Sequence, residues 1–195
     1  MKKNNRIYKM TGMAILTALT VVLTLISNYI VIGGSVSINL SLIPIVIAAI
    51  VYGPVEGMLM GFVNGAIVMT APATISGFFS VNPFGTIVTC LLKTGIAGLA
   101  AGGVYRGLRK LSFPVAIILA SIVTPIVNTA LFIVGCLVFF SGVFADLISI
   151  FVGLNFLIEF GIDIVLSPTL VYVVKVLDRQ YDLGIHFEKQ NIEAK

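Results

Sequence analysis

Charged residues are scarce in this sequence of 195 residues, and tryptophan is absent. Only 10% of the residues are charged, whereas 58% are apolar and the mean hydropathy is +1.12. A water-soluble domain of this length cannot bury that much apolar surface, so the lipid bilayer is the expected solvent. The net charge of +4 comes from basic residues that flank apolar runs, which indicates membrane topology and not nucleic-acid binding.

Residues that commonly carry soluble-enzyme chemistry are also few. The single histidine, His186, lies in the C-terminal tail, and both cysteines, Cys90 and Cys136, fall inside apolar runs. The cysteines are therefore interpreted as packing residues and not as a disulfide or zinc site. No phosphate-binding loop, zinc-protease motif or nucleophile elbow is present. We expect no enzyme activity, no cofactor and no metal, and any ATP-driven step needs another chain.

The apolar runs predict an all-α polytopic membrane protein, because a span needs about 20 apolar residues. Six transmembrane helices are expected, over residues 8–30, 40–52, 54–70, 84–105, 113–140 and 147–177. They would form one membrane domain, residues 1–178, followed by a polar cytoplasmic tail, residues 179–195. Basic residues gather at the N-terminus, in the turn after residue 105 and near the C-terminal end, while the opposite loops carry only Asp146. This alternation places both termini in the cytoplasm.

A helical hairpin over residues 38–70 is the stretch around which the chain is organised. Gly53-Pro54 predicts a tight turn with proline in the first turn of the third helix. Gly57, Gly61 and Gly65 then share one face, where another helix can approach closely. The preceding helix is short, and Pro44 is expected to kink it. Residues 71–83 are expected to form a polar loop.

Polar side chains inside the spans are costly and therefore informative. Counting about 1.5 Å per residue from the outer helix ends puts several of them at similar depth. They are interpreted as a substrate pocket in the outer half of the bundle, with Lys93 facing an anionic or carbonyl group. The alternative is an ion pair between Lys93 and Glu159, with the amides bridging helices. Asp163, one turn beyond Glu159, is the weaker candidate. The predicted substrate-binding residues are Asn64, Lys93, Asn128, Asn155 and Glu159.

Phenylalanines cluster at the predicted outer ends of the helices. They would stack on a flat ligand or close over it, or else pack against lipid. Loops 1–2 and 3–4 are candidate lids for the pocket. The phenylalanines are Phe78, Phe79, Phe84, Phe139, Phe140, Phe144 and Phe151.

Three stretches together resemble a known family. Ala14-x-x-x-Ala18 followed by Leu19-Thr-Val-Val-Leu resembles the first helix of substrate-binding S components of energy-coupling factor (ECF) vitamin transporters. The run from Ser41-Leu-Ile-Pro44 to Gly53-Pro54-Val-Glu-Gly57 is similar to their second and third helices, particularly in the riboflavin-type branch. Thr124-Pro125-Ile-Val-Asn128-Thr resembles that branch too.

The resemblance implies a subunit of the bacterial plasma membrane that binds a vitamin or related micronutrient from outside. It would dock through Ala14 and Ala18 onto an ECF transmembrane coupling protein that carries two ATPase subunits. Pantothenate, riboflavin and folate are candidate ligands, after an unassigned vitamin or precursor. One alternative is a self-sufficient ion-coupled transporter using Glu159 and Asp163. Another is a membrane scaffold without a ligand.

Overall fold

The protein is described by a computed structural model over residues 5–29, 31–32, 36–37, 40–110, 112–142, 157, 160–162 and 164–177. Two short strands, β1 (Val31–Ile32) and β2 (Val36–Ser37), pair antiparallel with Val31 opposite Ser37. A π-helical turn, Ile75–Phe79, follows the fourth helix. The helices are α1 (Asn5–Tyr29), α2 (Leu42–Val51), α3 (Pro54–Val68), α4 (Pro72–Thr74), α5 (Pro83–Leu108), α6 (Phe113–Phe139) and α7 (Ile164–Leu177).

Within the described ranges, three helices are long and apolar enough to cross a membrane: α1, α5 and α6. A fourth span would combine α3 with α4 and the π-helical turn, which meet at a bend of 73°. The all-α, multi-pass membrane architecture is thus confirmed. The count of six spans and the cytoplasmic termini stay predictions, since α2 and α7 are shorter and most of residues 143–163 and the tail lie outside the described residues.

The predicted hairpin is present as α2 and α3. Gly53 has φ 130°, a backbone conformation that glycine adopts without a side-chain clash, and Pro54 occupies the first turn of α3. The expected kink at Pro44 is wrong. Pro44 lies in the first turn of α2, where its missing N–H would have no intrahelical partner.

The glycine face predicted on α3 is in close contact with α5, and Gly57 also lies against Ala49 of α2. A Cβ atom built on Gly57 would lie 2.7 Å from the carbonyl oxygen of Gly98, and one on Gly65 would lie 2.5 Å from that of Cys90. Such separations leave no room for a side chain, so the two backbones are in direct contact. This contact holds α5, which carries Lys93, against the hairpin.

The loop predicted over residues 71–83 is instead largely helical. It contains α4 and the π-helical turn, which bend sharply away from the axis of α3. Asn82 then caps α5, because its side-chain oxygen accepts a hydrogen bond of 2.9 Å from the backbone N–H of Gly85. The segment is therefore mostly helical and turns away from α3 before α5 begins.

Candidate functional site

Lys93 lies in the middle of α5 and is half-buried. It is ten residues from Pro83, which corresponds to ~15 Å along the helix. The Lys93 ammonium lies over the ring of Phe132 on α6, with the nitrogen 4.6 Å from the ring centroid. A lysine near the bilayer centre costs about 3 kcal/mol by insertion scales, and a cation–π contact offsets roughly 0.5–2 kcal/mol. The contact therefore leaves part of the cost unbalanced.

Two buried polar residues accompany Lys93 at the α5–α6 contact. Thr89 precedes Lys93 by one turn on α5, and Asn128 precedes Phe132 by one turn on α6. Thr89 is 5% exposed and Asn128 4% exposed. Neither the Thr89 hydroxyl nor the Asn128 carbonyl oxygen has a hydrogen-bond partner among the described residues. Buried polar atoms are rarely left unpaired, so each of these two atoms has the capacity for a further hydrogen bond.

The packing of α5 on α6 fixes the level of each of these side chains. Gly85 lies against Phe139, and Thr89 lies against Gly135, so the two helices run antiparallel in a fixed register. Continued along the two helices, this register places Asn128 about one turn deeper than Lys93 and about two turns deeper than Thr89. Lys93 and Asn128, both predicted as site residues, thus lie on successive turns of two helices that pack together.

An aromatic cluster extends from Lys93 towards the end of the bundle. Phe78 in the π-helical turn makes edge-to-face contacts with Phe132 and Phe140, with centroid separations of 5.7 and 5.3 Å. Phe84 and Phe139 form a separate pair at 6.2 Å, and Phe84 is 69% exposed. The predicted aromatic group therefore divides into an inner cluster beside Lys93 and an outward pair.

Asn64 lies in a different environment. Its side-chain oxygen accepts hydrogen bonds from Thr24 on α1, at 2.7 Å, and from Ser41 before α2, at 2.8 Å. All three side chains are at most 1% exposed. The Asn64 amide nitrogen has no hydrogen-bond partner among the described residues. Asn64 thus joins three helical segments, whereas Lys93 and Asn128 belong to the α5–α6 contact.

Several predicted residues lie outside the described residues: Asn155, Glu159, Asp163, Phe144 and Phe151. Conversely, Thr89 and Phe132 beside Lys93 were not predicted. Phe132 could have been found from its spacing of one helical turn after Asn128, which places both on one face of α6. Thr89 precedes Lys93 by the same interval on α5. Within the described ranges, no cluster of three His, Cys, Asp or Glu side chains could hold a metal ion.

The predicted docking residues lie on the outward face of α1. Ala14 and Ala18 are both exposed, one turn apart, while Thr20 and Thr24 are buried on the opposite face. Only 17% of the most apolar stretch of α1 is buried, compared with 44% for α5. The outward face also carries Ile7, Met10, Ile15, Leu19, Val22 and Ile26. It is an apolar surface with a low, flat patch at its two alanines.

The end of the bundle remote from Phe78 carries an ionic contact. Lys9 on α1 forms a salt bridge with Glu56 in the first turn of α3. The positive end of the helix dipole also stabilises a carboxylate at this position. A Cβ atom on Gly53 would meet the Arg106 guanidinium at 2.5 Å, so α5 ends at the same place. The salt bridge joins α1 to α3, and Arg106 of α5 lies beside it, at the end where the sequence predicts the cytoplasm.

Comparison with known proteins gives one finding. A protein-family model described as ECF transporter, substrate-specific component, matches residues 8–174. That range includes the exposed face of α1, the α2–α3 hairpin and the α5–α6 site. No curated protein matches the chain.

Proposed function

The chain belongs to the family of ECF transporter substrate-specific components, and on this premise we propose that it captures a vitamin or related micronutrient for import. Such components are substrate-binding subunits of transporters and not enzymes. The ligand would enter from outside the bacterial plasma membrane. Six spans with both termini in the cytoplasm would orient the aromatic end of the bundle outward.

We propose that the substrate site lies between α5 and α6, with Lys93 and Asn128 as ligand contacts. Asn155 and Glu159, on the predicted sixth span, would complete it. One observation supports this proposal: a half-buried Lys93 ammonium and two buried polar atoms, Thr89 Oγ1 and Asn128 Oδ1, lie at the α5–α6 contact, and neither polar atom has a described hydrogen-bond partner. The π-helical turn with Phe78 would act as the cover of the site.

Asn64 is proposed as a residue that positions helices and not as the ligand contact predicted from sequence. Its oxygen already accepts two hydrogen bonds, from Thr24 and Ser41. Those bonds join α1 to the α2–α3 hairpin within a fully buried cluster. Replacing Asn64 would therefore change transport by displacing α1.

We propose that α1 docks onto the ECF transmembrane coupling protein, which carries two ATPase subunits. Ala14 and Ala18 would let a partner helix approach closely, because their side chains project little from the helix. The exposed apolar residues around them would enlarge the contact. ATP hydrolysis on the partner would then drive release of the ligand to the cytoplasm.

Uptake and binding measured separately test this function. The double variant Ala14→Leu, Ala18→Leu should lower uptake at least ten-fold in cells that supply the coupling module. Ligand binding in detergent should stay within twofold of wild type, because the site lies on other helices. Ala130→Leu is the matched control, since Ala130 is an exposed alanine on α6. Uptake that needs no coupling module would instead support an ion-coupled transporter.

A further inference from the structure

We infer that the substrate of this site carries an anionic oxygen group, a carboxylate or a phosphate, that binds the Lys93 ammonium. The inference rests on the proposed function and adds the chemical class of the ligand. It also assigns Thr89 to the site, as a hydroxyl that contacts the same anionic group. A cationic group at this position would meet Lys93 with a like charge and is therefore disfavoured.

The charge distribution around Lys93 supports this assignment. Lys93 is the one charged residue between the ends of the described parts of α5 and α6. The salt bridge seen in the described ranges joins Lys9 to Glu56 and lies near the opposite end of the bundle. The contact that Lys93 does make is with a neutral ring, Phe132. A ring face attracts a cation more weakly than an anion does in a medium of low dielectric constant.

The unpaired polar atoms complete the pattern. A Thr89 hydroxyl can donate one hydrogen bond, and an ammonium can donate three, so both suit the oxygens of one anionic group. The Asn128 carbonyl oxygen only accepts, so it requires a donor from the ligand, such as an amide N–H or a hydroxyl. The site thus favours a ligand with an anionic end and a hydrogen-bond donor at a distance from it.

The aromatic cluster sets the direction of the ligand. Phe132 contacts Lys93 and also touches Phe78, which in turn contacts Phe140. The outer wall of the site is therefore apolar. An anion that binds Lys93 would place the apolar body of the ligand against these rings.

Matched pairs of acid and neutral compounds test the inference by calorimetric titration of the full-length protein in detergent. The carboxylate pairs are pantothenate with pantothenol and nicotinate with nicotinamide. The phosphate pair is riboflavin 5′-phosphate with riboflavin. Native mass spectrometry of ligand retained through purification identifies the anionic group of a compound outside these pairs. The acid should bind at least ten-fold more tightly than its neutral partner.

Variants at Lys93 then test whether this side chain causes the preference for the acid over its neutral partner. Lys93→Met should weaken binding of the acid roughly ten- to hundred-fold, as expected for loss of a charged hydrogen bond, and leave the neutral partner unchanged. Lys93→Arg should retain much of the preference, and Lys110→Met, at an exposed lysine beyond the end of α5, should retain all of it. Thr89→Val should reduce the preference by a smaller factor.

Two results would overturn the inference and leave the proposed function standing. One is a tightly bound ligand that is neutral or cationic. The other is a Lys93→Met variant that folds and binds the acid as wild type does, as expected if Glu159 already neutralises Lys93. A protein that neither retains a small molecule nor supports uptake would overturn the proposed function itself.

Discussion

Replacing two buried asparagines by alanine should have different effects: Asn64→Ala should lower stability, and Asn128→Ala should lower ligand affinity. Asn64→Ala removes the oxygen that accepts hydrogen bonds from Thr24 and Ser41. Thr24 keeps the Thr20 carbonyl as an acceptor, 2.6 Å away. Interhelical hydrogen bonds in membrane proteins average about 0.6 kcal/mol and reach about 1.7 kcal/mol. The Ser41 bond is lost in full, while the single Thr24 proton is shared with the Thr20 carbonyl. With the small cavity left behind, the loss is about 1–2 kcal/mol, or roughly 2–8 °C in Tm.

The matched variant is Asn128→Ala, because the Asn128 carbonyl oxygen has no described partner to lose. Its Tm should stay within about 2 °C of wild type, while ligand affinity falls roughly ten-fold. Cys90 and Cys136 are both buried, so the rate of labelling by a fluorescent maleimide during heating reports unfolding. This readout suits a chain without tryptophan.

Either of two results with these variants would contradict the proposed roles of Asn64 and Asn128. If Asn64→Ala melts as wild type does and loses the ligand, Asn64 contacts the substrate and does not position helices. If Asn128→Ala destabilises the fold and binds normally, the proposed site between α5 and α6 is wrong.

Two further predictions concern packing and the cover of the site. Gly61→Ala should lower Tm by more than about 5 °C, because its Cβ would lie 2.6 Å from the Thr94 carbonyl carbon. The control Gly103→Ala has open space around it and should leave Tm unchanged or higher. Equal Tm values for the two variants would contradict the close α3–α5 contact. Phe78→Ala should speed ligand release roughly ten-fold in stopped-flow displacement, because it removes the ring contacts with Phe132 and Phe140. Phe84→Ala, at an exposed ring, should leave the release rate unchanged. Equal release rates for the two variants would argue against Phe78 as part of the cover.

Local signals in the sequence predicted the α2–α3 hairpin. The bounds of α2 and α3 follow from the Gly53-Pro54 turn and agree to within two residues of the expected ranges. The glycine face of α3 was predicted because a spacing of four residues fixes one side of a helix whatever its partner. Ala14 and Ala18 are exposed, and their role in docking stays a prediction.

Features that depend on contacts between distant segments could not be predicted in the same way. The ring beneath Lys93 is set by the register of α5 on α6, which no local pattern in either helix specifies. The hydrogen bonds of Asn64 depend on how α1 and the hairpin meet. Residues 71–83 contain enough proline, glycine and serine to indicate a loop, yet they form α4 and the π-helical turn with Phe78 packed on α6.

Native mass spectrometry of the detergent-purified protein, expressed in a vitamin-replete host without added ligand, shows whether the chain carries a substrate. We expect one small molecule per chain, whose mass identifies a vitamin or precursor with an anionic group. The Lys93→Met variant should emerge from the same purification without it. A wild-type protein that carries no small molecule, and that shows no thermal shift with a panel of vitamins, would contradict the assignment of a substrate site between α5 and α6.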